Sequence, residues 1–428
     1  MIRKLMAVLL CSIMLIVCVP SAAPVVNAKG GGLPWLIMAY LDGDVGLNDP
    51  TIEHWVLHSM DEMQAAFYHS VKCVVCVDRT SDWPDCTNSN TRYYEISAGY
   101  RTLLVDCGEL NMGSPATLSD FIIWAKTNNP AATNYALVLT DHGGGWRGTC
   151  IDNVDASGAG DWMTMADLTT ALSVAKSGTG VTFSMLGFDS CLMADTEVAY
   201  QVKNYANVMV ASEQTERVFD TGTELPPYDP GSGGWPWTAI ITDLSNQITA
   251  DGAGLATIVC NDFKIFYEGN PFENVHWTIS AVKLQTTSFT TLVTAVNSLG
   301  YELNKRLAKY RADIKVCANG AQAFPPGPTY RFVDLYDFVD QVDACNMGET
   351  RALIHAMGTI RTQIDNMKVA EYHSELLDSR AHGLSVFLPW GVSDYYPLNP
   401  TDPTYDALAF TTAAPNWNVF LKAYLQVP

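Results

Sequence analysis

Short apolar runs alternate with amphipathic stretches over much of the chain. Residues 35–40, 71–77, 135–140, 183–188 and 208–211 are apolar runs of strand length, and 92–96 is a weaker one. Between them, 49–67 places Ile52, Trp55, Val56, Met60, Met63 and Phe67 at helical spacing, and 118–127, 165–175 and 193–204 also read as helices. Alternating β and α elements whose strands lack a polar face predict a mostly parallel sheet covered on both sides, an α/β/α sandwich. Beyond residue 250 helices dominate, at 255–267, 289–310, 332–342, 352–366 and 417–426. Strands are expected at 276–282 and 383–389. The expected organisation is an α/β region over 29–250 and a more helical region over 251–428 that extends or packs on the same sheet. Two long loops interrupt the pattern, 143–161, rich in Gly, Asp, Asn and Ser, and 216–237, which carries Gly, Pro and Asp; loops of that length are more often functional or disordered than idle.

The first 28 residues read as a secretory signal peptide. Arg3 and Lys4 precede an apolar run over 5–19, Pro20 and Ser21 break it, and Val26-Asn27-Ala28 offers small residues for cleavage. The run is shorter than the ~20 residues of a spanning helix. Cys18 follows Leu-Ile-Val, and the bulky Val17 before it argues against lipid attachment. The expected product is secreted or extracytoplasmic, without stable membrane insertion. The net charge of −20 argues against nucleic acid as a partner, because phosphate neutralisation needs clustered Lys and Arg. Removing Cys11 and Cys18 with the leader leaves an odd number of cysteines, so at least one thiol stays unpaired in an oxidising compartment. Cys73-x-x-Cys76 lies inside an apolar strand and reads as packing rather than as a metal or redox site.

Two strand-end motifs carry the chemistry. Asp141-His142-Gly143-Gly144-Gly145 follows the run at 135–140, and Gly187-Phe188-Asp189-Ser190-Cys191 closes the run at 183–188. In open parallel sheets the carboxyl ends of strands face the ligand crevice, and neighbouring strands lie ~4.8 Å apart. A Cys and a His held there can form a nucleophile with its proton acceptor. Backbone N–H groups of Gly143 and Cys191 could hold an oxyanion. Ser190 lacks a Gly-x-Ser-x-Gly elbow and is not read as a nucleophile.

With Trp35-Leu-Ile-Met-Ala-Tyr-Leu-Asp-Gly-Asp44, Val77-Asp-Arg79, Asn111-Met-Gly-Ser-Pro115, Val210-Ala-Ser-Glu213, Gly383-Leu-Ser-Val-Phe-Leu-Pro389 and Trp417 to Leu421, these motifs resemble the clostripain-type cysteine peptidases of the caspase-like clan. The resemblance implies a caspase-like sandwich, a His142–Cys191 dyad and cleavage of peptide or protein substrates after Arg or Lys. Asp189 matches the acidic position linked to that preference, and Ser212, Glu213 and Asp220 are further candidates for the same pocket. An insertion at about 215–233 separates Glu213 from Gly234-Trp235-Pro236-Trp237. Relatives cut themselves between the His and the Cys, where this chain offers Arg147 and Lys176, the latter expected just after a helix. Cys150, in the loop after His142, is expected to be a second reactive thiol.

The chemistry requires no cofactor. Some relatives are calcium-activated, and Asp42 and Asp44 with Asn48 and Asp49, or Asp152 with Asn153 and Asp155, could supply oxygen ligands. His54 and His58 share a helix face, but Trp55 stands where a zinc protease needs Glu, so they read as helix surface. A monomer is expected. The rival reading is an exported binding module that retains the fold without activity, and a thiol-directed Arg-based inhibitor would separate the two.

Overall fold

The computed structural model describes residues 33–45, 50–79, 90–152, 161–216, 233–269, 275–325, 331–395 and 404–426. The expected signal peptide, Cys18, Asn48, Asp49, Asn153, Asp155 and Asp220 lie outside these residues.

In chain order the strands are β1 (Leu33–Asp42), β2 (Val71–Asp78), β3 (Arg92–Ser97), β4 (Tyr100–Asp106), β5 (Ala132–Thr140), β6 (Thr149–Asp152) and β7 (Asp161–Met163). They continue as β8 (Phe183–Asp189), β9 (Ala206–Ala211), β10 (Thr278–Lys283), β11 (Ala323–Phe324), β12 (Phe332–Asp334), β13 (Lys368–His373) and β14 (Ser385–Phe387). A nine-stranded sheet runs β13-β10-β9-β8-β5-β1-β2-β3-β4 among the described residues. Its centre, β9-β8-β5-β1-β2, is parallel, and antiparallel strands extend both sides. Residues beyond 250 thus contribute β10 and β13 to the same sheet.

Alternation along β1 builds two cores. Leu36, Met38 and Tyr40 pack on one face with helices Pro115–Asn128, Met165–Thr179 and Thr287–Gly320. Trp35, Ile37, Ala39 and Leu41 pack on the other with helices Pro50–Ala65, Trp237–Asn246 and Gly252–Gly269. Successive strand side chains point to opposite faces, so a strand apolar at every position must be covered twice. The same rule separates Cys73 from Cys76, which lie in different cores and make no site together.

Several local expectations are corrected. Residues 332–342 are not one helix: Phe332–Asp334 is β12, and Asp334 then accepts the Asp337 N–H as N-cap of helix Leu335–Ala344. β4 adds a strand outside the expected pattern, because its side chains are mostly exposed and show no apolar period. His54 and His58 are half-buried rather than surface residues, and His58 Nε2 lies 3.8 Å from Glu62. Among the described cysteines, Cys317 and Cys345 form a disulfide. No helix among the described residues is long and apolar enough to cross a membrane.

Candidate active site

Strands β5 and β8 are parallel neighbours, and their pairing aligns Thr140 with Asp189. His142 and Cys191 each stand two residues beyond that aligned pair. The interval between them in sequence is therefore the register of two adjacent strands. The chain turns sharply after Cys191, where Leu192 adopts φ 66°. A non-glycine residue there carries a cost of ~1–3 kcal/mol that surrounding contacts must offset. One such contact is the Leu192 N–H, which donates to the Gln214 carbonyl at 3.1 Å.

The two loops touch through a residue without a side chain. A Cβ on Gly143 would stand 2.2 Å from the Cys191 carbonyl oxygen and 2.9 Å from its nitrogen. The His142 loop is held from behind by β6. Its carbonyl accepts from the Thr149 hydroxyl at 2.9 Å and from the Cys150 N–H at 3.3 Å. The Thr149 hydroxyl also lies 3.4 Å from Ser190 Oγ, beside the cysteine. Ser190 is fully buried.

A third segment closes on the sulfur. Beyond β9, residues 212–216 run beside the Cys191 turn, with Ala194 N–H donating to the Ser212 carbonyl at 2.8 Å. Glu216 N–H donates to Cys191 Sγ at 3.2 Å, and the thiol faces the Glu216 carbonyl at 3.6 Å. Burial pushes the Cys191 thiol up to about 11, and the Glu216 N–H opposes that shift. In this conformation the sulfur is a thiol under a backbone cover.

Asp189 lies behind it, with no solvent exposure. Its carboxylate accepts from the Trp235 N–H at 3.2 Å and from the Thr140 hydroxyl at 3.4 Å. Trp235 reaches this position because β8 carries Gly187, where a Cβ would stand 2.5 Å from the indole. Asp189 caps no helix, since the next helix, Thr196–Val202, has Asp195 at its N-cap. Burial pushes Asp189 up to about 7, against the lowering effect of its hydrogen-bond partners. Glu216 is also buried, and neither of its carboxyl oxygens has a hydrogen-bond partner of good geometry. Burial first, then the neighbouring Asp189, hold it well above the usual carboxylate range. Two carboxyl groups thus face one interior space, and they resist ionising together.

The other expected pocket residues are elsewhere. Ser212 Oγ lies 3.0 Å from the Thr278 hydroxyl, and a Glu213 oxygen accepts the Gly383 N–H at 2.9 Å. Both knit β9 to its C-terminal neighbours rather than lining the Asp189 space. Glu216 takes the position expected of Glu213, and a sequence signal existed: it is the next acid after the strand-end Ser-Glu. Cys150 is fully buried, and burial holds its thiol well above the ordinary range, so it is not an accessible competitor of Cys191. Lys176 does not follow a helix but lies within Met165–Thr179, its Nζ donating to the Asn204 carbonyl at 2.7 Å. Arg147 sits in a 3₁₀ turn, and its guanidinium donates to the Asp394 carbonyl at 2.6 Å. Asp42, Asp44 and Asp152 lie together at the ends of β1 and β6, so the two expected oxygen-ligand groups are parts of one acidic region.

A sheet whose parallel centre ends in a Cys loop against a His-Gly loop defines the architecture of a caspase-like cysteine peptidase. The chain belongs to the clostripain family, whose family model matches residues 40–423. It is 29% identical over 197 residues to clostripain of Hathewaya histolytica, a match that takes in 39% of this chain and 35% of that protein. The chain thus spans about a third of that relative's length. An inactive zymogen C11 protease from Parabacteroides distasonis has a similar fold, with TM-score 0.63 and 17% identity, covering 90% of this chain and 99% of that one. A secreted C11 cysteine protease from Bacteroides thetaiotaomicron, solved with an irreversible peptide inhibitor, has TM-score 0.60 at 17% identity over 89% of this chain and 99% of that one.

Proposed function

We propose that this chain is a secreted cysteine endopeptidase that cleaves peptide bonds after Arg or Lys through His142 and Cys191. The observation that carries the dyad is the strand register: Thr140 pairs with Asp189, and each reactive residue follows by two. His142 takes the thiol proton as Cys191 Sγ attacks the scissile carbonyl, and returns it to the departing amine. The N–H groups of Gly143 and Cys191 face the developing oxyanion. Water then hydrolyses the acyl-enzyme, with His142 again moving the proton. Substrate must first displace the Glu216 backbone from the sulfur.

The basic preference is supported by the buried Asp189, with Glu216 beside it as a second acid. A guanidinium or ammonium leaving water needs an anion in its pocket, and a carboxylate can receive Arg in bidentate fashion. Export is supported by the basic, apolar and small-residue layout of residues 1–28. The test is a panel of fluorogenic peptides with Arg, Lys, Asn or Asp at P1, together with an Arg-based acyl inhibitor directed at thiols. Selective turnover of Arg and Lys substrates and labelling of Cys191 are expected. Failure of Cys191 to react would leave a binding module on a peptidase fold.

A further inference from the structure

The Cys191 turn and the His142 loop are joined at a second place, through a buried acid and three aromatic rings. Glu197 stands six residues after Cys191, in the first turn of helix Thr196–Val202, and is fully buried. Its Oε1 accepts from the Tyr405 hydroxyl at 2.6 Å and from the Phe387 N–H at 3.3 Å. Both of those rings meet Trp146 edge-on, at centroid distances of 5.2 Å for Tyr405 and 5.4 Å for Phe387. Trp146 is itself buried and stands four residues after His142 in the same loop.

The strands behind these rings are tied to both loops. On the cysteine side, the Ser385 N–H of β14 donates to the Ala194 carbonyl at 2.9 Å, and the Thr196 hydroxyl donates to the Ser385 carbonyl at 2.7 Å. On the histidine side, Gly145 adopts φ 61° and is pressed onto Phe332, so that a Cβ there would run into the ring. Phe332 of β12 pairs with Phe387 of β14. Asp195 adds a second buried acid to the junction. It lies beside the Trp146 and Glu197 N–H groups with no hydrogen bond of good geometry, and burial, then the neighbouring Glu197, hold it well above the usual carboxylate range. An apolar side chain would fill the place of Glu197 without the cost of burying an acid. What the acid adds is direction: its hydrogen bonds fix the two ring-bearing residues where packing alone is not directional.

We infer that Glu197 is a positioning residue of the peptidase: it orients Tyr405 and Phe387 so that they hold Trp146, and with it His142, in place relative to Cys191. This rests on the reading of His142 and Cys191 as the dyad. Glu197 acts through the rings and not on the reacting atoms. The supports of a site must hold it within about 0.5 Å of its productive geometry, and a loop with glycines at 143, 144 and 145 has little side-chain packing of its own with which to do so. Tyr405 is 208 positions from Glu197, so the C-terminal part of the chain takes part in the site by this contact.

The test compares the full wild-type chain with Glu197→Ala, Glu197→Gln, Tyr405→Phe and His142→Ala. Circular dichroism checks folding, hydrolysis of an Arg peptide gives kcat and KM, and alkylation of Cys191 by iodoacetamide is followed against pH by peptide mapping. A histidine held beside a cysteine lets the thiolate form at lower pH, so the alkylation profile reports the geometry of the dyad, which a loss of general stability would not move. Glu197→Ala and Tyr405→Phe are expected to lower kcat by about tenfold or more at nearly constant KM, and to move the profile upward toward that of His142→Ala. Glu197→Gln keeps an acceptor oxygen and is expected to stay near wild type in both. Tyr405→Phe keeps the ring and removes only the hydroxyl, so it decides the question if Glu197→Ala does not fold. Wild-type kcat and profile in Tyr405→Phe would overturn the inference, and so would a fall in kcat with an unmoved profile. A His142→Ala profile identical to wild type would instead overturn the dyad, and this inference with it.

Discussion

Gly143 and Cys191 are in backbone contact: a Cβ at residue 143 would lie 2.2 Å from the Cys191 carbonyl oxygen. The loop that follows His142 can approach the cysteine only because that position has no side chain. Gly143→Ala must push one loop off the other. An activity loss of about 100-fold is expected, since misplacement by about 1 Å can cost that much. Circular dichroism and kcat/KM on one preparation check whether a folded protein loses the chemistry.

Cys191→Ala is expected to abolish peptidase activity while leaving the fold intact. His142→Ala is expected to cost about 10²–10⁴ in rate, the range for a positioned proton-transfer group. Near-native turnover in Cys191→Ala would exclude it as the nucleophile. Alkylation of the native protein is expected at Cys191 before Cys150, which is fully buried. Peptide mapping reads the order.

Asp189→Asn is expected to lower kcat/KM for Arg substrates by ~2–4 kcal/mol, the range for stranding one charge of a desolvated pair. Neutral P1 substrates should lose much less. Glu216→Gln is expected to act in the same direction but more weakly, since Asp189 stays. An equal fall for basic and neutral P1 would make Asp189 a structural support of Trp235.

The Asp189 carboxyl has a folded-state value of about 7, above its value in the unfolded chain, with burial as the main cause. Over the interval from about 4 to 7 the unfolded chain has released this proton and the folded protein retains it. Its contribution to stability therefore falls as pH rises through that window. The stability of wild type relative to Asp189→Asn, which does not titrate there, is therefore expected to fall as pH rises from about 4 to about 7, read by thermal unfolding of both proteins across that range. Conversely, kcat/KM for Arg substrates should climb toward neutral pH as the pocket anion forms. A profile for Arg substrates with no step near neutrality would count against Asp189 as that anion.

The two basic residues between His142 and Cys191 are held in regular structure, Arg147 in a 3₁₀ turn and Lys176 in a helix. A peptidase reads extended chain, so cleavage at either requires local unwinding. The wild-type protein is expected to keep residues 143–190 intact, and intact mass against Cys191→Ala checks it. A dyad-dependent cut within 148–175 would show that the loop itself is the processing site.

The sequence by itself determined the parts of the site that are local. An apolar strand followed by Asp-His-Gly or by Asp-Ser-Cys places each reactive residue at a strand end, because strand geometry depends on neighbouring residues alone. It also determined the layered class, since runs apolar on both faces need two covers. Tertiary structure decided what depends on segments distant in the chain. Glu216 rather than Glu213 stands by Asp189 because the Glu213 side chain is drawn to Gly383, 170 positions away. Lys176 lies inside a helix that continues to Thr179 and ends at Gly180, and its Nζ is held by the Asn204 carbonyl, 28 positions away. Asp42 and Asp78 are far apart in sequence, and only the parallel register of β1 and β2 sets them side by side. Such pairings follow from long-range packing, which no local pattern of residues encodes.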